Sequence, residues 1–164
     1  DFEVEEIPRK DIDEIGISST KIRNALGSGV VSQANSFLGR NYAIAGKVVH
    51  GEKRGRDIGF PTANINIKEG YKLIPADGVY AVKVCDKYKK LDGMLNIGTR
   101  PTVGGENKTI EVHIFDFNED IYDSEICIEF VSLIRKEQKF NSIDELKAQL
   151  QADEQAVRAV LSKL

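Results

Sequence analysis

The sequence contains no tryptophan, and only two cysteines, one methionine and four prolines in 164 residues. Cys85 and Cys127 are too few for a disulfide framework, and both lie inside apolar, strand-like runs, so they are expected to be buried thiols. No apolar run approaches the ~20 residues that a membrane span requires, and the opening Asp-Phe-Glu-Val-Glu-Glu is unlike a secretory signal. The expected compartment is therefore the cytoplasm, with no membrane partner. An excess of basic charge is also missing. Lysine and arginine number 23 against 26 aspartates and glutamates, a net charge of -3, which argues against a nucleic-acid partner. A small barrel that binds nucleic acid would use aromatic platforms, and aromatics make up only 7% of this chain. The dinucleotide fingerprint and the His-Glu-x-x-His zinc site are absent. So is a Walker loop, because Gly104 to Thr109 offers Lys108 and Thr109 but carries Asn107 where the last glycine should stand.

What remains is 41% hydrophobic, enough for one globular domain with at most a small appendage. Residues 1 to about 16 are acidic, contain Pro8 and hold too little apolar material to fold alone. Ile17 to Arg23, Ile-Ser-Ser-Thr-Lys-Ile-Arg, places adjacent hydroxyls where they can cap a short helix or bind an anion at its N-terminus. Two short helices, punctuated by Gly27, Gly29 and Gly39, are expected up to about residue 38. From Tyr42 the pattern changes to short runs rich in Val, Ile, Tyr and Phe with turn signals between them: 42–50, 63–67, 78–85, 91–97, 109–117 and 125–134. Strands of this length in succession imply a compact antiparallel barrel. Ser142 with Glu145 three residues on forms a capping box, and Ile143, Leu146, Leu150, Val157, Leu161 and Leu164 recur at helical spacing. A long amphipathic helix, with an interruption near Asp153, is expected to pack on the barrel.

Chemistry concentrates between His50 and Ile65. Gly51, Gly55 and Gly59 recur four residues apart, interleaved with Lys53, Arg54 and Arg56, and Pro61, Thr62 and Asn64 follow at once. Such a loop can offer backbone amides and positive charge to phosphates, although a solvated surface turn would use the same residues. In Thr-Ile-Glu-Val-His-Ile, strand alternation sets Thr109, Glu111 and His113 on one face and Ile110, Val112 and Ile114 on the other. A glutamate there is either a solvated carboxylate or a proton acceptor.

The Gly-Phe-Pro-Thr-Ala-Asn tail of the glycine loop resembles the signature of riboflavin kinases, and the resemblance runs in order from about residue 42 to 164. It covers Ala76-Asp77-Gly78-Val79-Tyr80 and the Glu-Val-His-Ile strand, where the family's glutamate is the catalytic base and corresponds to Glu111. Asn96 to Thr102 resembles the mobile loop that covers the substrate, with Gly104 and Gly105 beside it, and fits a polar hairpin connection equally well. Arg135 to Phe140 resembles the Arg-x-Glu-x-x-Phe segment that closes over the flavin. Ile17 to Arg23 resembles the closing segment of the adenylyltransferase module in bifunctional bacterial FAD synthetases, but that module's His-x-Gly-His signature is missing.

The resemblance implies a six-stranded antiparallel Greek-key barrel with a long C-terminal helix, preceded by short N-terminal helices. Residues 1–38 would be the truncated end of the adenylyltransferase module and a linker, and 39–164 the kinase domain. The implied reaction is transfer of the γ-phosphoryl group of ATP to the 5'-hydroxyl of riboflavin, giving FMN, without adenylyl transfer by this chain. Gly51, Lys53, Gly55, Gly59, Pro61 and Thr62 would hold the nucleotide phosphates, and Thr62 and Asn64 would hold Mg²⁺. Glu111 would be the base, His113 a supporting residue, and Thr102, Arg135, Glu137 and Phe140 the flavin side. An inactive flavin-binding or regulatory module, or a small-barrel nucleic-acid binder, would be the alternative use of such a barrel.

Overall fold

Alternating apolar residues drive one face of every strand into a shared interior. The computed structural model describes residues 11–12, 15–51, 54–67, 70–86, 89–102 and 105–164. Its sheet consists of β3 (Ala43–Val49), β4 (Ala63–Asn66), β5 (Gly78–Asp86), β6 (Lys89–Thr102), β7 (Gly105–Ile114) and β8 (Glu125–Arg135). These close as a barrel in the order β3-β4-β7-β6-β5-β8, antiparallel at every seam. Ile44, Val82, Leu95, Val112, Ile128 and Phe130 fill the interior, essentially without solvent exposure. Tyr80 joins them, its hydroxyl donating to the Ala76 carbonyl, and burial pushes its pKa up to about 12.

Two short strands, β1 (Asp11–Ile12) and β2 (Ile15–Gly16), pair ahead of α1 (Ser19–Gly27) and α2 (Val31–Leu38). Ser18 caps α1, its hydroxyl accepting from the Lys21 amide at 3.3 Å, as the row of hydroxyls predicts. The helices do not stand apart from the barrel. Leu26, Val31 and Ala34 belong to the same buried cluster as the barrel interior. Asn35 holds the junction, donating to the Phe130 carbonyl at 2.9 Å and accepting from the Tyr42 amide at 2.7 Å.

The C-terminal helix, α4 (Ile143–Leu161), lies on the outer face of the sheet, where Val157 and Leu161 bury against Val79, Ala81 and Met94. Ser142 caps it, accepting from the Glu145 amide at 3.1 Å, and the Glu145 carboxylate accepts from the Asn141 amide at 2.9 Å. Ser142→Ala should destabilise the protein by about 1 kcal/mol, read as a shift in the urea midpoint with unchanged slope.

Three expectations need correction. The helix is not interrupted near Asp153, because that carboxylate is buried on the barrel side and takes the guanidinium of Arg135. Residues 98–102, beyond the expected strand 91–97, are not a mobile loop but the end of β6, an arm of a hairpin paired with β7 as far as Thr102 opposite Gly105. The thiols of Cys85 and Cys127 are half-buried instead of buried, because alternation gives the interior to Val84, Ile126 and Ile128. The two cysteines stand opposite each other on β5 and β8. Partial desolvation, reinforced by the nearby Glu129 carboxylate, raises the pKa of both.

Candidate active site

Register assembles the site. Across the sheet, Asn64 of β4 stands opposite Glu111 of β7, Glu111 opposite Asn96 of β6, Asn96 opposite Val79 of β5, and Val79 opposite Arg135 of β8. Ile110, Val112 and Ile114 point inward, so this row lies on the outer face, as the alternation of the β7 sequence predicts. Glu111 stands second in this row of five, between Asn64 and Asn96. The Thr62 hydroxyl, one residue before β4, donates to Glu111 Oε2 at 3.2 Å. Thr62, Asn64 and Glu111 are thus brought together from positions 49 residues apart in the chain.

The glycine loop reaches this point as a turn of helix, α3 (Arg54–Asp57). Gly59 ends the turn with φ 89°, and the Phe60 amide bonds back to the Gly55 carbonyl at 2.8 Å. A side chain at Gly59 would be strained by that backbone. Gly51 is required for a different reason: a Cβ there would collide with the amide of Asn64, which lies against the glycine backbone. Gly51 thus lies against Asn64, and Gly55 near the Thr62 hydroxyl that reaches Glu111. Lys53 lies outside the described residues, as do the side chains of Arg54 and Arg56.

On the other side of Glu111, the Glu137 carboxylate lies over Gly98 and beside the Asn96 amide; a Cβ on Gly98 would occupy its place. Arg135 is engaged with protein. Its Nε and Nη2 bind the Asp153 carboxylate at 2.7 to 2.9 Å, and its Nη1 donates to the Lys136 carbonyl at 3.1 Å. The Phe140 ring lies 5.7 Å from the guanidinium carbon. The Thr102 side chain is outside the described residues.

Two parts of the site were not singled out in the sequence. Asn96, opposite Glu111, was read as the end of a strand and the start of a loop, with no role in the site. A cavity of about 280 Å³ opens beside Thr62, between Pro61 and Ala63 on one wall and Phe117, Ile121 and Tyr122 on the other. Phe117 and Tyr122 flank the acidic tripeptide Asn-Glu-Asp, and the segment is bounded by Asp116 and Asp123 with φ 54° and 64°. Two aromatics around a polar turn were the available signal. The His50 ring stacks on Tyr122 with centroids 3.9 Å apart, which fixes that wall.

Among the described residues no group of His, Cys, Asp and Glu could hold a metal ion by itself. The donors of Thr62 and Asn64 are a hydroxyl and a carboxamide oxygen, hard neutral ligands that fit Mg²⁺ when nucleotide phosphates supply the charge.

The closed six-stranded antiparallel barrel with its outer C-terminal helix agrees with what the comparisons with known proteins find. The flavokinase (riboflavin kinase) profile matches residues 38–161, and the chain belongs to the riboflavin kinase family. It is 46% identical over 151 residues to a bifunctional riboflavin kinase/FMN adenylyltransferase of Bacillus subtilis, covering 90% of this chain and 48% of that protein. The Escherichia coli K12 protein of the same description is 47% identical over 145 residues, covering 88% and 46%. The chain therefore spans about half the length of the curated relatives it matches. Among solved structures, a Streptococcus pneumoniae protein described as a macrolide-efflux protein superposes with TM-score 0.88 at 42% identity, over 93% of this chain and 50% of that one. The riboflavin kinase of Trypanosoma brucei superposes with TM-score 0.51 at 26% identity, over 74% and 80%. Among the described residues here, no helix is long and apolar enough to cross a membrane.

Proposed function

We propose that this chain transfers the γ-phosphoryl group of ATP to the 5'-hydroxyl of riboflavin, giving FMN and ADP. The observation that carries the reading is the Thr62 hydroxyl donating to the Glu111 carboxylate, with Asn64 opposite Glu111 in the strand register. Phosphoryl transfer asks a protein mainly to position the partners and balance charge. Backbone amides around Gly51 to Gly59 would face the phosphates, and the cavity beside Thr62 would take the rest of the nucleotide. Thr62 and Asn64 would hold Mg²⁺, which neutralises phosphate charge when bound. Glu111 accepts the proton as the riboflavin oxygen bonds to phosphorus and the bond to the ADP oxygen breaks. Asn96, Glu137 and Phe140 form the side toward the flavin, with Thr102 beyond them, and Arg135 tethers the segment that carries Glu137 and Phe140.

The boundary near residue 38, with an adenylyltransferase remnant and linker before it, belongs to the same proposal, as do a neighbouring adenylyltransferase module and the cytoplasm as compartment. Chromatographic detection of FMN from riboflavin, ATP and Mg²⁺ tests the function. Riboflavin that binds but stays unphosphorylated would support the inactive-module alternative.

The neutral ligand pair sets a further expectation. Without nucleotide, Thr62 and Asn64 bring no charge to offset the dehydration of Mg²⁺. Calorimetry should show Mg²⁺ binding only together with ATP or ADP; micromolar binding to the free protein would refute the ligand assignment.

A further inference from the structure

His113 lies two residues after Glu111 on β7, on the same outer face, and its Nδ1 is 2.7 Å from the Pro61 carbonyl oxygen. A carbonyl only accepts, so the proton of this bond must sit on Nδ1. Pro61 immediately precedes Thr62, whose hydroxyl meets Glu111. The imidazole therefore fixes the backbone at the residue before the one that must face the carboxylate. The ring is itself held: Phe60 and Phe115 meet it edge-on, with centroids 5.5 and 5.7 Å away. Phe115 in turn lies under the Arg158 guanidinium of α4, at 4.3 Å, and Arg158 forks onto Asp116 at 2.9 and 3.2 Å. A brace thus runs from the C-terminal helix through Phe115 and His113 to the loop.

We propose that His113 is a positioning residue for phosphoryl transfer: its Nδ1–H holds the Pro61 carbonyl so that Thr62 stays aligned with Glu111. The proposal rests on the reading of Thr62 and Glu111 given above. A misplacement of about 1 Å can reduce rate by about 100-fold, so a single bond at this point has kinetic weight. The role needs a donor at one position and no proton transfer to substrate.

Asparagine and glutamine separate these requirements. His113→Asn can present an N–H at nearly the place of Nδ1, whereas the amide of His113→Gln is one carbon farther out. The Asn variant should keep turnover within about threefold of the wild type. The Gln variant should lose roughly 10- to 100-fold and raise KM for ATP while KM for riboflavin stays put. Equal turnover in the two variants, whether high or low, would overturn the proposal. So would a Gln variant whose KM rises for riboflavin and not for ATP.

The second measurement needs no activity. Nitrogen-15 NMR of the wild-type imidazoles should show neutral His113 protonated at Nδ1, a tautomer that the acceptor at Pro61 imposes. Protonation at Nε2 instead would overturn the brace even in an active enzyme. An Nδ1–H tautomer in a wild-type protein that makes no FMN would leave the brace standing and refute the kinase reading alone.

Discussion

Glu111→Gln is expected to reduce turnover by about 10² to 10⁴, because a positioned general base contributes that much to rate. The loss corresponds to roughly 3 to 5 kcal/mol of barrier at about 1.36 kcal/mol per tenfold. Glutamine preserves the size of the side chain and can still accept from the Thr62 hydroxyl, but it cannot take the proton of the riboflavin hydroxyl. Stability should change by no more than about 0.5 kcal/mol, since the side chain is on the outer face and only half-buried. Affinity for riboflavin should hold as well, because Asn96, Glu137 and Phe140, on the side proposed to face the flavin, are untouched. Turnover, melting temperature and riboflavin affinity measured on the same preparation decide the matter. A drop below about tenfold would make Glu111 an ordinary strand residue, well short of a base.

The second large effect is on stability. Asp153→Ala should destabilise the fold by about 3 to 5 kcal/mol, because it leaves the Arg135 guanidinium without its partner in a largely dry place. Asp153 is 2% exposed and the Arg135 side chain 18%, and three hydrogen bonds join them. For a chain of this length that loss corresponds to a fall in melting temperature of roughly 6 to 20 °C. Scanning calorimetry measures it directly. A fall of less than about 3 °C would show that Arg135 turns to solvent without penalty and that the pair adds little to the union of β8 and α4.

These two residues also mark what could and could not be read from sequence. Glu111 was legible because a strand's period of two reports which face a residue takes, and Ile110, Val112 and Ile114 left no ambiguity. The six strands and the capped final helix were legible for the same kind of local reason. Asp153 was not, because a charged residue within an amphipathic helix reads as a break until its partner is known, and Arg135 lies 18 residues away. The end of β6, from Gly98 to Thr102, was equally hidden: glycine, threonine and proline close together read as a turn, and only the pairing with β7 makes them strand. Asn96 became visible as a neighbour of Glu111 only through that register. The cavity wall at Phe117 to Tyr122 depends on the way β4 meets the segment after β7, a long-range fact that no local pattern carries. The thiols were misplaced by one step of alternation, the smallest error a strand permits.

The closed seam between β3 and β8 has a consequence for the longer relatives. An open sheet can recruit a neighbour by lending it an unpaired edge, whereas a closed one has no edge to lend. A module tethered beside the paired seams of this barrel would meet it there through side chains, helices and connecting segments. Such a contact can loosen and re-form without disturbing a single rung of the barrel. The outer row from Asn64 to Arg135 would keep its spacing through any such rearrangement, so the geometry of the reaction can stay constant while the arrangement of neighbouring modules does not.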